Sequence, residues 1–265
     1  MIRIAIAGAA GRMGQAIARE LQGNNELFLV AALEHKHSSA LGQDIGLMCG
    51  LGTTDVLIVD QLDGGSFDLL IDFTQPESTM EHIALCLENN AAMVIGTTGL
   101  NDPQKQMIVD AGRRIPILLA ANTSVGVNLC ASLVEMAARV LGDVVDIEIM
   151  EAHHRHKVDA PSGTALLLGE AVAGALNKDL DRDGVYERYG YIGERVAGSI
   201  GFSTIRGGDI AGEHTVMFIG ESERIEITHR ATDRKNFAWG AIRAASWLSG
   251  QQPGFYRMKD ALGLM

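Results

Sequence analysis

The first 122 residues alternate between short apolar segments and helical patterns, and this alternation restricts the fold more than any other feature of the sequence. The apolar segments have the length of buried strands and lie at residues 2–7, 27–33, 69–73, 93–95 and 115–121. Strands that alternate with helices form a parallel sheet covered on both faces. The sequence therefore predicts an α/β domain with a doubly wound parallel sheet.

The pattern changes after Asn122. Residues 144–150 and 224–228 alternate between apolar and polar side chains, which predicts half-buried strands of a mostly antiparallel sheet. A helix is expected over residues 124–141. The side chains that we expect on its buried side are Leu129, Leu133, Met136 and Val140.

Two later segments have contrasting patterns. Residues 179–195 are polar and contain Gly184, Gly190 and Gly193, so we expect a long loop there. Residues 237–248 have the apolar spacing of a helix, which ends just before Gly250.

Composition and charge exclude several classes of function. The chain has 265 residues, 47% of them hydrophobic, which suffices for one large domain or two modest ones. Its net charge of −11 is unsuited to general binding of nucleic acid or of an anionic membrane, because phosphates are bound by a basic face. No apolar run approaches the roughly 18–20 residues that span a bilayer. We therefore expect a cytoplasmic protein with neither a nucleic-acid nor a membrane partner.

The three cysteines, Cys49, Cys86 and Cys130, are far apart and form no CxxC pair. An odd and scattered set is untypical of a disulfide framework or a zinc cluster. We expect reduced cysteines in or near the core, and no metal site.

A glycine-rich loop follows the first predicted strand and opens the first helix. It contains Gly8, Gly11 and Gly14 in a GxxGxxG spacing. A pyrophosphate needs backbone N–H groups aimed at it, no Cβ in the way and the positive end of a helix dipole, and such glycines provide all three. Glycines also serve turns and helix–strand packing, but the order strand, loop, helix favours a dinucleotide site.

The second predicted strand ends at Glu34, where an acidic side chain typically binds the adenosine ribose and favours NAD. His35, Lys36 and His37 follow it, and Arg12 lies in the glycine loop. These basic groups could neutralise a 2′-phosphate. NADH and NADPH therefore both remain candidates, and a solvated charged turn is the alternative.

Residues 151–164 read EAHHRHKVDAPSGT, and three histidines, an arginine and a lysine occupy positions 153–157. Imidazoles titrate near neutral pH, the range in which general acids work best. The segment leads into a predicted helix that continues to about residue 176, and free N–H groups at a helix start can bind a carboxylate. The pattern predicts a site for a small anion with proton donors beside it.

Other interpretations of this segment are weaker. A metal site is awkward, because spacings of one and two residues place alternate side chains on opposite faces of an extended segment, and only Glu151 and Asp159 are nearby carboxylates. A solvated basic loop, with ordinary helix capping by Ser162 or Thr164, is the second alternative.

The chain at this point strongly resembles the 4-hydroxy-tetrahydrodipicolinate reductase family, also called dihydrodipicolinate reductase, nearly from end to end. The motifs that carry the resemblance are GAAGRMG at residues 8–14, DFTxP at 72–76, GTTG at 96–99, EAHHRHKVDAPSGT at 151–164 and GDIxGEH at 208–214. The fourth motif is highly specific, whereas a glycine loop alone would not be.

The resemblance implies a fold and a domain organisation. It implies a Rossmann-type doubly wound parallel sheet in a dinucleotide-binding domain of residues 1–124 plus 235–265. An α+β domain for substrate binding and tetramerisation, residues 125–234, would be inserted into it. Residues 237–248 would pack back on the first domain, and the protein would be a homotetramer.

The activity implied is reduction of 4-hydroxy-tetrahydrodipicolinate to tetrahydrodipicolinate in lysine and diaminopimelate biosynthesis, with hydride from C4 of NADH or NADPH. Another two-domain NAD(P) oxidoreductase would need its own substrate signature in place of residues 151–164. A nucleotide-sensing regulator without turnover would predict a degraded segment there, but both this segment and the glycine loop are intact.

The resemblance also implies roles for individual residues. His153 would be the acid/base residue and Lys157 the proton donor, while Arg155 and His156 receive no role. The substrate would be bound by His154, Gly163 and Thr164. The cofactor would be lined by Gly8, Ala9, Ala10, Gly11, Arg12, Met13, Glu34, His35, Gly96, Thr97, Thr98, Ala120, Ala121, Asn122 and Thr123.

Two of these positions depart from the family pattern. His35 stands where an arginine often meets the 2′-phosphate, and a largely neutral imidazole is a weaker phosphate partner than a guanidinium. Thr123 stands where an aromatic residue is common. The first departure bears on the choice between NADH and NADPH, and the second on the nicotinamide contacts.

Overall fold

The computed structural model describes residues 1–62, 65–233 and 235–264. The chain divides into two compact units, one of Met1–Val125 with Lys235–Met265 and the other of Gly126–Arg234. The division falls one residue from the boundary expected from the sequence. The functions expected of the two units stay predictions.

Strands and helices alternate through the first part of the chain. The elements are β1 (Ile2–Ala7), α1 (Arg12–Leu21), β2 (Leu27–Leu33), α2 (Ile45–Cys49), β3 (Ile58–Val59), β4 (Leu69–Asp72), α3 (Pro76–Asn89), β5 (Ala92–Ile95), α4 (Asp102–Ala111) and β6 (Pro116–Leu119).

The described part of the chain that follows contains further helices and strands, and several of its strands are longer than those before them. These elements are α5 (Val125–Leu141), β7 (Asp146–His153), α6 (Gly163–Ala175), α7 (Leu180–Asp183), β8 (Gly184–Val185), β9 (Ile200–Arg206), β10 (Gly212–Ile219), β11 (Arg224–Ala231), α8 (Lys235–Leu248), β12 (Gly254–Tyr256) and α9 (Met258–Leu262).

The first unit contains a seven-stranded sheet in the order β12-β6-β5-β4-β1-β2-β3, and neighbouring strands are parallel. The chain winds from β1 outward in one direction through β2 and β3, and then in the other through β4, β5 and β6. In sheets of this kind ligands bind beyond the carboxyl ends of the strands, where the winding direction reverses. The predicted doubly wound sheet is confirmed.

The two faces of this sheet form separate cores. Ile4 and Ile6 of β1 pack in the core that α1, α8 and α9 cover, whereas Ala5 and Ala7 pack in the core that α3 and α4 cover. Since alternate residues of one strand are buried on opposite faces, β1 reads as a continuous apolar run.

Helix α8 returns to the first sheet. Ala241 and Leu248 are fully buried in the same core as Ile4. A Cβ on Gly240 would lie only 1.8 Å from the carbonyl oxygen of Thr123, so α8 lies directly on the loop after β6. The packing of residues 237–248 expected from the resemblance is confirmed.

The second unit contains a five-stranded sheet in the order β11-β10-β7-β9-β8. β10 is antiparallel to β7 and β11, the two strands predicted from the sequence, whereas β9 is parallel to β7 and β8, so the sheet is mixed. The chain crosses over through α6 between β7 and β9, and such a crossover joins parallel strands. Alternation along a strand reports which face is covered and does not report the direction of its neighbours.

Helices α5 and α6 cover one face of this sheet, and α5 does so with a different stripe from the one predicted. Its buried residues are Val127, Cys130, Val134 and Ala138. The residues expected to be buried, Leu129, Leu133, Met136 and Val140, are 45%, 43%, 62% and 78% exposed, so that prediction is wrong. Both stripes have helical spacing, and the buried one carries the smaller side chains.

The segment expected to be a long loop contains two short elements. α7 and β8 occupy residues 180–185, and the Asp179 side chain caps α7 by accepting a hydrogen bond from the Asp181 N–H at 2.9 Å. For these residues the prediction is wrong. Residues 186–195 belong to no helix or strand.

The cysteines agree with the expectation of reduced thiols in or near the core. Cys49, Cys86 and Cys130 are all free thiols and all buried. Through the described part of the chain, none of the helices combines the length and the apolar character that crossing a membrane requires.

Candidate active site

The glycine loop lies at the carboxyl end of β1, and its glycines are required for different reasons. Gly8 has φ +74°, and a Cβ there would lie 2.8 Å from the carbonyl oxygen of Phe73. A Cβ on Gly14 would lie 2.3 Å from the carbonyl oxygen of Gly8, so Gly14 serves the packing of α1 against the loop. Gly11 is the N-cap of α1 and supplies no capping side chain, which leaves the positive end of the helix dipole open to an anion.

Glu34 follows β2, and its carboxylate lies against the glycine loop. Its Oε2 accepts a hydrogen bond from the Ala10 N–H at 3.0 Å, and its Oε1 accepts one from the His35 N–H at 3.1 Å. The side chain of Glu34 is 12% exposed, whereas that of His35 is 67% exposed. The His37 N–H donates to His35 Nδ1 at 3.3 Å, so the neutral ring carries its hydrogen on Nε2.

The loop after β5 brings a buried polar cluster next to the glycine loop. A Cβ on Gly96 would lie 2.2 Å from the ring of Phe73. Thr97 is buried, and its hydroxyl accepts hydrogen bonds from the Thr74 N–H at 3.1 Å and the Thr79 hydroxyl at 2.9 Å. The Thr97 side chain therefore faces this cluster and leaves only its backbone for a cofactor, while Thr98 is exposed.

The centre of that cluster is Asp72, which the sequence analysis did not propose as a site residue. Asp72 is fully buried at the end of β4, where its carboxylate accepts hydrogen bonds from the hydroxyls of Thr74 at 2.6 Å and Thr97 at 3.3 Å, and lies 3.1 Å from His82 Nδ1. It fixes the ends of β4 and β5 relative to each other. A charged residue that closes an apolar strand was the available signal.

The loop after β6 has one exposed and several anchored residues. Thr123 is 2% exposed, and its hydroxyl donates to the carbonyl oxygen of Phe237 at 2.8 Å, so the side chain anchors α8. The Asn122 side chain accepts a hydrogen bond from the Ser124 N–H at 2.8 Å. Ala121 is exposed and Ala120 is buried. The structure therefore brings all the predicted cofactor loops to one edge of the first sheet but directs the Thr97 and Thr123 side chains elsewhere.

In the second unit, polar side chains gather at one end of the helix-covered face of the sheet. Along β7, β9 and β10 this face is apolar over most of its length and polar at that end. Glu151 on β7 lies opposite Thr204 on β9 and His214 on β10, and His153 on β7 lies opposite Arg206 on β9. A period of two along each strand places all of them on the same face.

Glu151 is the centre of this group, although it is only 1% exposed. Its carboxylate accepts hydrogen bonds from both terminal nitrogens of Arg206 at 2.8 and 2.7 Å, from the Ser162 N–H at 3.1 Å and from the Thr204 hydroxyl at 3.2 Å. It also lies 2.6 Å from His153 Nδ1. We call these five residues, Glu151, His153, Ser162, Thr204 and Arg206, the Glu151 cluster. Sequence reasoning missed Arg206, since it lies 55 residues from Glu151 in the chain.

Burial and charge act on the two central groups in opposite directions. Burial alone would raise the pKa of Glu151, but the hydrogen bonds from Arg206 and His153 outweigh it and hold that pKa below its ordinary value. Burial lowers the pKa of His153, and the charges of Lys157 and Arg206 add to this, against the opposing effect of Glu151. The Glu151 carboxylate is therefore ionised beside a largely neutral imidazole at pH 7.

The two ring nitrogens of His153 have different surroundings. Nδ1 is taken by Glu151, whereas Nε2 faces Gly212, on which a Cβ would lie 3.0 Å away. The glycine keeps the backbone of β10 close to Nε2 without a side chain over it. Nε2 is the nitrogen left for a ligand.

His214 supports the start of α6. Its Nε2 lies 2.8 Å from the hydroxyl oxygen of Ser162, and that oxygen also caps α6 by accepting a hydrogen bond from the Ala165 N–H at 3.1 Å. The rings of His214 and His153 meet edge to face, with centroids 5.1 Å apart. Burial lowers the pKa of His214 to about 4, so this ring is neutral near pH 7.

Lys157 pairs with Asp159 in the loop between β7 and α6. Its Nζ donates to both carboxylate oxygens of Asp159, at 2.7 and 2.8 Å, and its side chain is 20% exposed. The hydrogen bond from Lys157 lowers the pKa of Asp159. Arg206 donates to the Asp159 carbonyl oxygen at 2.7 Å and so ties this loop to the Glu151 cluster.

The predicted substrate-binding residues have different surroundings. The His154 Nδ1 is buried and has no hydrogen-bond partner among the residues that the structure describes. A Cβ on Gly163 would meet no atom within 4 Å, so nothing in the packing requires a glycine there. Thr164 is half-buried in the first turn of α6, while Arg155 and His156 are exposed.

Within the described ranges, 1–62, 65–233 and 235–264, no group of three or more His, Cys, Asp or Glu side chains is arranged to hold a metal ion. The histidines of residues 153–157 accordingly divide between the Glu151 cluster, the half-buried His154 and solvent.

Sequence profiles of one family match both parts of the chain. "Dihydrodipicolinate reductase, N-terminus" matches residues 2–123, and "Dihydrodipicolinate reductase, C-terminus" matches residues 126–262. Among solved structures, the chain is similar to a dipicolinate-bound dihydrodipicolinate reductase from Paenisporosarcina sp. TG-14. The two share 26% sequence identity and a TM-score of 0.77 over 97% of each chain.

Solved structures of lower sequence identity resemble this chain in their fold alone. One is a DAP dehydrogenase from C. glutamicum in complex with DAP, 13% identical with a TM-score of 0.55 over 97% of this chain and 92% of that one. Another is an amine dehydrogenase from Mycobacterium smegmatis, 10% identical with a TM-score of 0.59 over 96% and 94%.

The two family matches together cover nearly the whole chain, including the glycine loop and the residues from His153 to Thr164. The solved relative is aligned over the same extent. The chain therefore belongs to the dihydrodipicolinate reductase family, and it is an NAD(P)H-dependent oxidoreductase that carries out the reduction step of lysine and diaminopimelate biosynthesis.

Proposed function

We propose that His153 and Lys157 handle the protons when this enzyme reduces 4-hydroxy-tetrahydrodipicolinate to tetrahydrodipicolinate, and that α6 and His154 bind the substrate. The observation that carries the proposal is the group of residues at one end of the second sheet. There a buried His153–Glu151 pair, Lys157 and a helix start with open space over Gly163 belong to the same unit. The relative that is 26% identical binds dipicolinate, a small cyclic dicarboxylate, which supports this class of ligand.

The cofactor is proposed to bind at the carboxyl edge of the first sheet. The nicotinamide, when bound, supplies the hydride. The glycine loop 8–14 fits a pyrophosphate, because Gly8 allows close approach and Gly11 leaves the start of α1 uncapped by a side chain. Ala9, Ala10, Arg12 and Met13 would complete this loop, with the backbone of 96–98 and of 120–123 at the later strand ends.

The ribose end of the cofactor site favours NADH over NADPH. Glu34 is held against the glycine loop by the Ala10 N–H, and its carboxylate would repel a 2′-phosphate bound nearby. The His35 imidazole is largely exposed and, when neutral, offers one Nε2–H to a phosphate. A carboxylate accepts hydrogen bonds from the ribose hydroxyls of NADH. A single neutral imidazole is a weak partner for the dianionic 2′-phosphate of NADPH.

The substrate's carboxylates are proposed to bind at the start of α6. Gly163 and Thr164 provide backbone N–H groups at the positive end of the helix dipole, and Gly163 leaves room for close approach. His154 has a buried Nδ1 that lacks a partner and can donate a hydrogen bond to a carboxylate oxygen. Such contacts strengthen where water is excluded.

The proton steps follow from the chemistry of the substrate. The ring first loses water from its 4-hydroxyl, which leaves a conjugated C=C–C=N system. Hydride addition to this system leaves negative charge on an enamine, which takes up a proton on carbon. Lys157 is a proton donor whose ammonium is held by Asp159 in the free enzyme. A dianionic substrate beside His153 would raise the pKa of this imidazole, since nearby negative charge favours its charged form. Substrate binding would thus prepare His153 as an acid.

The assembly and location expected from the family are also part of this proposal. We expect a cytoplasmic homotetramer formed through the second unit. The sheet face opposite α5 and α6 exposes Met150 and Ile205, which are 36% and 46% exposed. Apolar side chains on an uncovered sheet face favour burial against another subunit. Sedimentation equilibrium would test the tetramer.

Kinetics of His153→Gln and Lys157→Ala test the proposed roles. Each substitution should lower kcat by roughly 10²–10⁴, the contribution typical of a general acid, with little change in cofactor affinity. His156→Gln is a matched control, because His156 belongs to the same loop but is exposed. Near-normal kcat in both test variants would mean that the protons come from elsewhere.

A further inference from the structure

We propose that Glu151, held by Arg206, is the positioning residue of the reaction: it fixes the proton of His153 on Nδ1 and aims Nε2 at the substrate. The inference rests on the proposed role of His153. Glu151 and His153 are two residues apart on β7, so their side chains share one face of the sheet, and their facing atoms are 2.6 Å apart.

The tautomer follows from the acceptor character of an ionised carboxylate. A carboxylate can only accept hydrogen bonds, so the His153 nitrogen beside Glu151 must carry a hydrogen. In the neutral ring Nε2 then holds the lone pair. Nε2 faces the backbone of Gly212, where a Cβ would lie 3.0 Å away, so no side chain of that residue covers it. A proton that His153 receives or delivers during turnover therefore passes through Nε2.

Glu151 can remain ionised although it is buried, because its neighbours donate hydrogen bonds to both of its carboxylate oxygens. It takes part in five hydrogen bonds, two of them in the fork of Arg206. A buried charge is tolerated only when it is paired and its lone pairs are satisfied. Arg206 also prevents Glu151 from acting as a base itself, since it stabilises the charged form.

The same carboxylate connects the proton-handling and anion-binding parts of the site. One oxygen of Glu151 accepts the N–H of Ser162, the N-cap of α6. Arg206 in turn donates to the carbonyl oxygen of Asp159, the partner of Lys157. Glu151 therefore sets the orientation of His153 relative to the loop that carries Lys157 and to the helix start proposed to hold the substrate.

The alternative is that the ion pair of Glu151 and Arg206 serves only to stabilise the fold. The Glu151→Gln variant distinguishes this structural role from the positioning role. The glutamine amide keeps the size of the side chain but offers one N–H₂ donor where the carboxylate offered only acceptors. If the amide donates to Nδ1, the proton of His153 moves to Nε2. A wrong tautomer leaves the fold in place and removes turnover.

A matched control lies on the same strand. Glu148 of β7 is also paired with arginines, since it accepts bidentate hydrogen bonds from Arg188 at 2.8 Å and one from Arg195 at 3.1 Å. Its side chain lies on the opposite face from Glu151. Glu148→Gln breaks an ion pair of the same kind without touching His153.

The first measurement is ¹⁵N NMR of the wild-type enzyme labelled at its histidines, with the His153 signals identified by their loss in His153→Gln. At a pH at which the ring is neutral, we expect a protonated Nδ1 and an unprotonated Nε2. The opposite tautomer would overturn the inference, whatever the variants do to folding.

The second measurement compares steady-state kinetics. Glu151→Gln should lower kcat by roughly 10²–10⁴ with a KM within about threefold, and the Nε2 tautomer should appear in its spectrum. Glu148→Gln should keep the wild-type tautomer and a kcat within about threefold. Wild-type kcat in Glu151→Gln, with kcat lost in His153→Gln, would refute the positioning role alone. Full activity in His153→Gln would refute the proposed function instead.

The pH dependence of kcat/KM is a third measurement, and a purely structural role of Glu151 would leave it unchanged. The charged and titratable groups that face His153 are Glu151 on its own strand, Arg206 on β9, His214 on β10 and Lys157 in the following loop. Loss of the negative charge in Glu151→Gln removes the group that favours the imidazolium, so the limb of kcat/KM that reports His153 should move to lower pH. An unmoved limb would count against the inference.

Discussion

His214 shows how burial and a neighbouring imidazole act on one side chain. The residue is 4% exposed, and its ring touches that of His153. Burial is the main reason that its pKa falls to about 4, and the proximity of His153 adds to the effect. In the folded protein the ring thus stays neutral where a histidine of the unfolded chain is protonated.

We therefore expect His214 to make stability depend on pH. Below about pH 6.5 the unfolded chain binds a proton at this residue and the folded chain does not, so acid favours unfolding. The free energy of unfolding is not reduced by this residue above about pH 6.5. It falls as the pH decreases toward 4, by about 3 kcal/mol at most. Urea unfolding of the wild type and of His214→Gln at pH 7.5 and pH 4.5 measures it.

The wild type should lose more unfolding free energy between these pH values than His214→Gln does. His37→Gln is the control, because His37 is exposed and should leave the wild-type loss unchanged. Equal losses in the wild type and His214→Gln would contradict the buried, neutral state of His214.

Position 35 tests the cofactor assignment. His35 stands beside Glu34, largely exposed, at the end of β2. An arginine there would supply a permanent charge and a two-pronged donor for a 2′-phosphate. His35→Arg should raise the ratio of kcat/KM for NADPH to that for NADH, measured side by side in the same buffer. An unchanged ratio would show that position 35 does not face the ribose.

Individual site residues were predictable where a backbone rule stands behind the motif. Gly8 and Gly11 lie where a strand meets a helix, and the structure gives a steric reason for the first. Thr97 and Thr123 lie in the expected loops, but their hydroxyls bond to Thr79 and Phe237, which no local pattern reveals. The direction of a side chain depends on partners that are distant in the sequence.

Helix α5 carries apolar side chains on more than one side. Two stripes with helical spacing compete for the sheet, and the stripe with the smaller residues is the one buried. Because periodicity is equally good for both, the sequence pattern could not choose between them. The choice depends on packing in the core of the second unit, which includes residues distant from α5 in the sequence.

A pair of identical substitutions tests this orientation. Val134 is fully buried and Val140 is 78% exposed in the same helix. Val134→Ala should lower the free energy of unfolding by about 1–3 kcal/mol, because it leaves a cavity. Val140→Ala should change it by less than about 0.5 kcal/mol. Urea denaturation of both variants would measure this, and the reverse order would mean that α5 is rotated on the sheet.

The pairing of strands was also only partly predictable from the sequence. The parallel sheet of the first unit could be predicted because helices separate its strands and its apolar runs are continuous. In the second unit β7 pairs with β9 and β10, and neither of these strands was predicted from the sequence. The predicted strand ended at residue 150, so the Glu151–His153 pair on one face was not recognised.

The whole molecule combines an acidic chain with a proposed local site for an anion. The net charge is −11, yet His153, Arg155, Lys157 and Arg206 lie in or beside the same loop and cluster. We expect these local groups rather than the overall charge to determine what binds there, since exposed charges are screened over about 10 Å at 0.1 M salt. The family was predictable because its motifs fall at strand ends and at the start of α6, whereas the role of Arg206 could be recognised only in the fold.

Turnover by this protein can be measured in a coupled assay. Aspartate semialdehyde, pyruvate and the preceding synthase would be mixed with this protein and either NADH or NADPH, and the absorbance of the reduced nicotinamide would be followed. His153→Gln and omission of the synthase are the controls. We expect oxidation of both cofactors, faster with NADH, only when the synthase is present, and much slower with His153→Gln. No oxidation of either cofactor by the wild-type protein would contradict the proposed function.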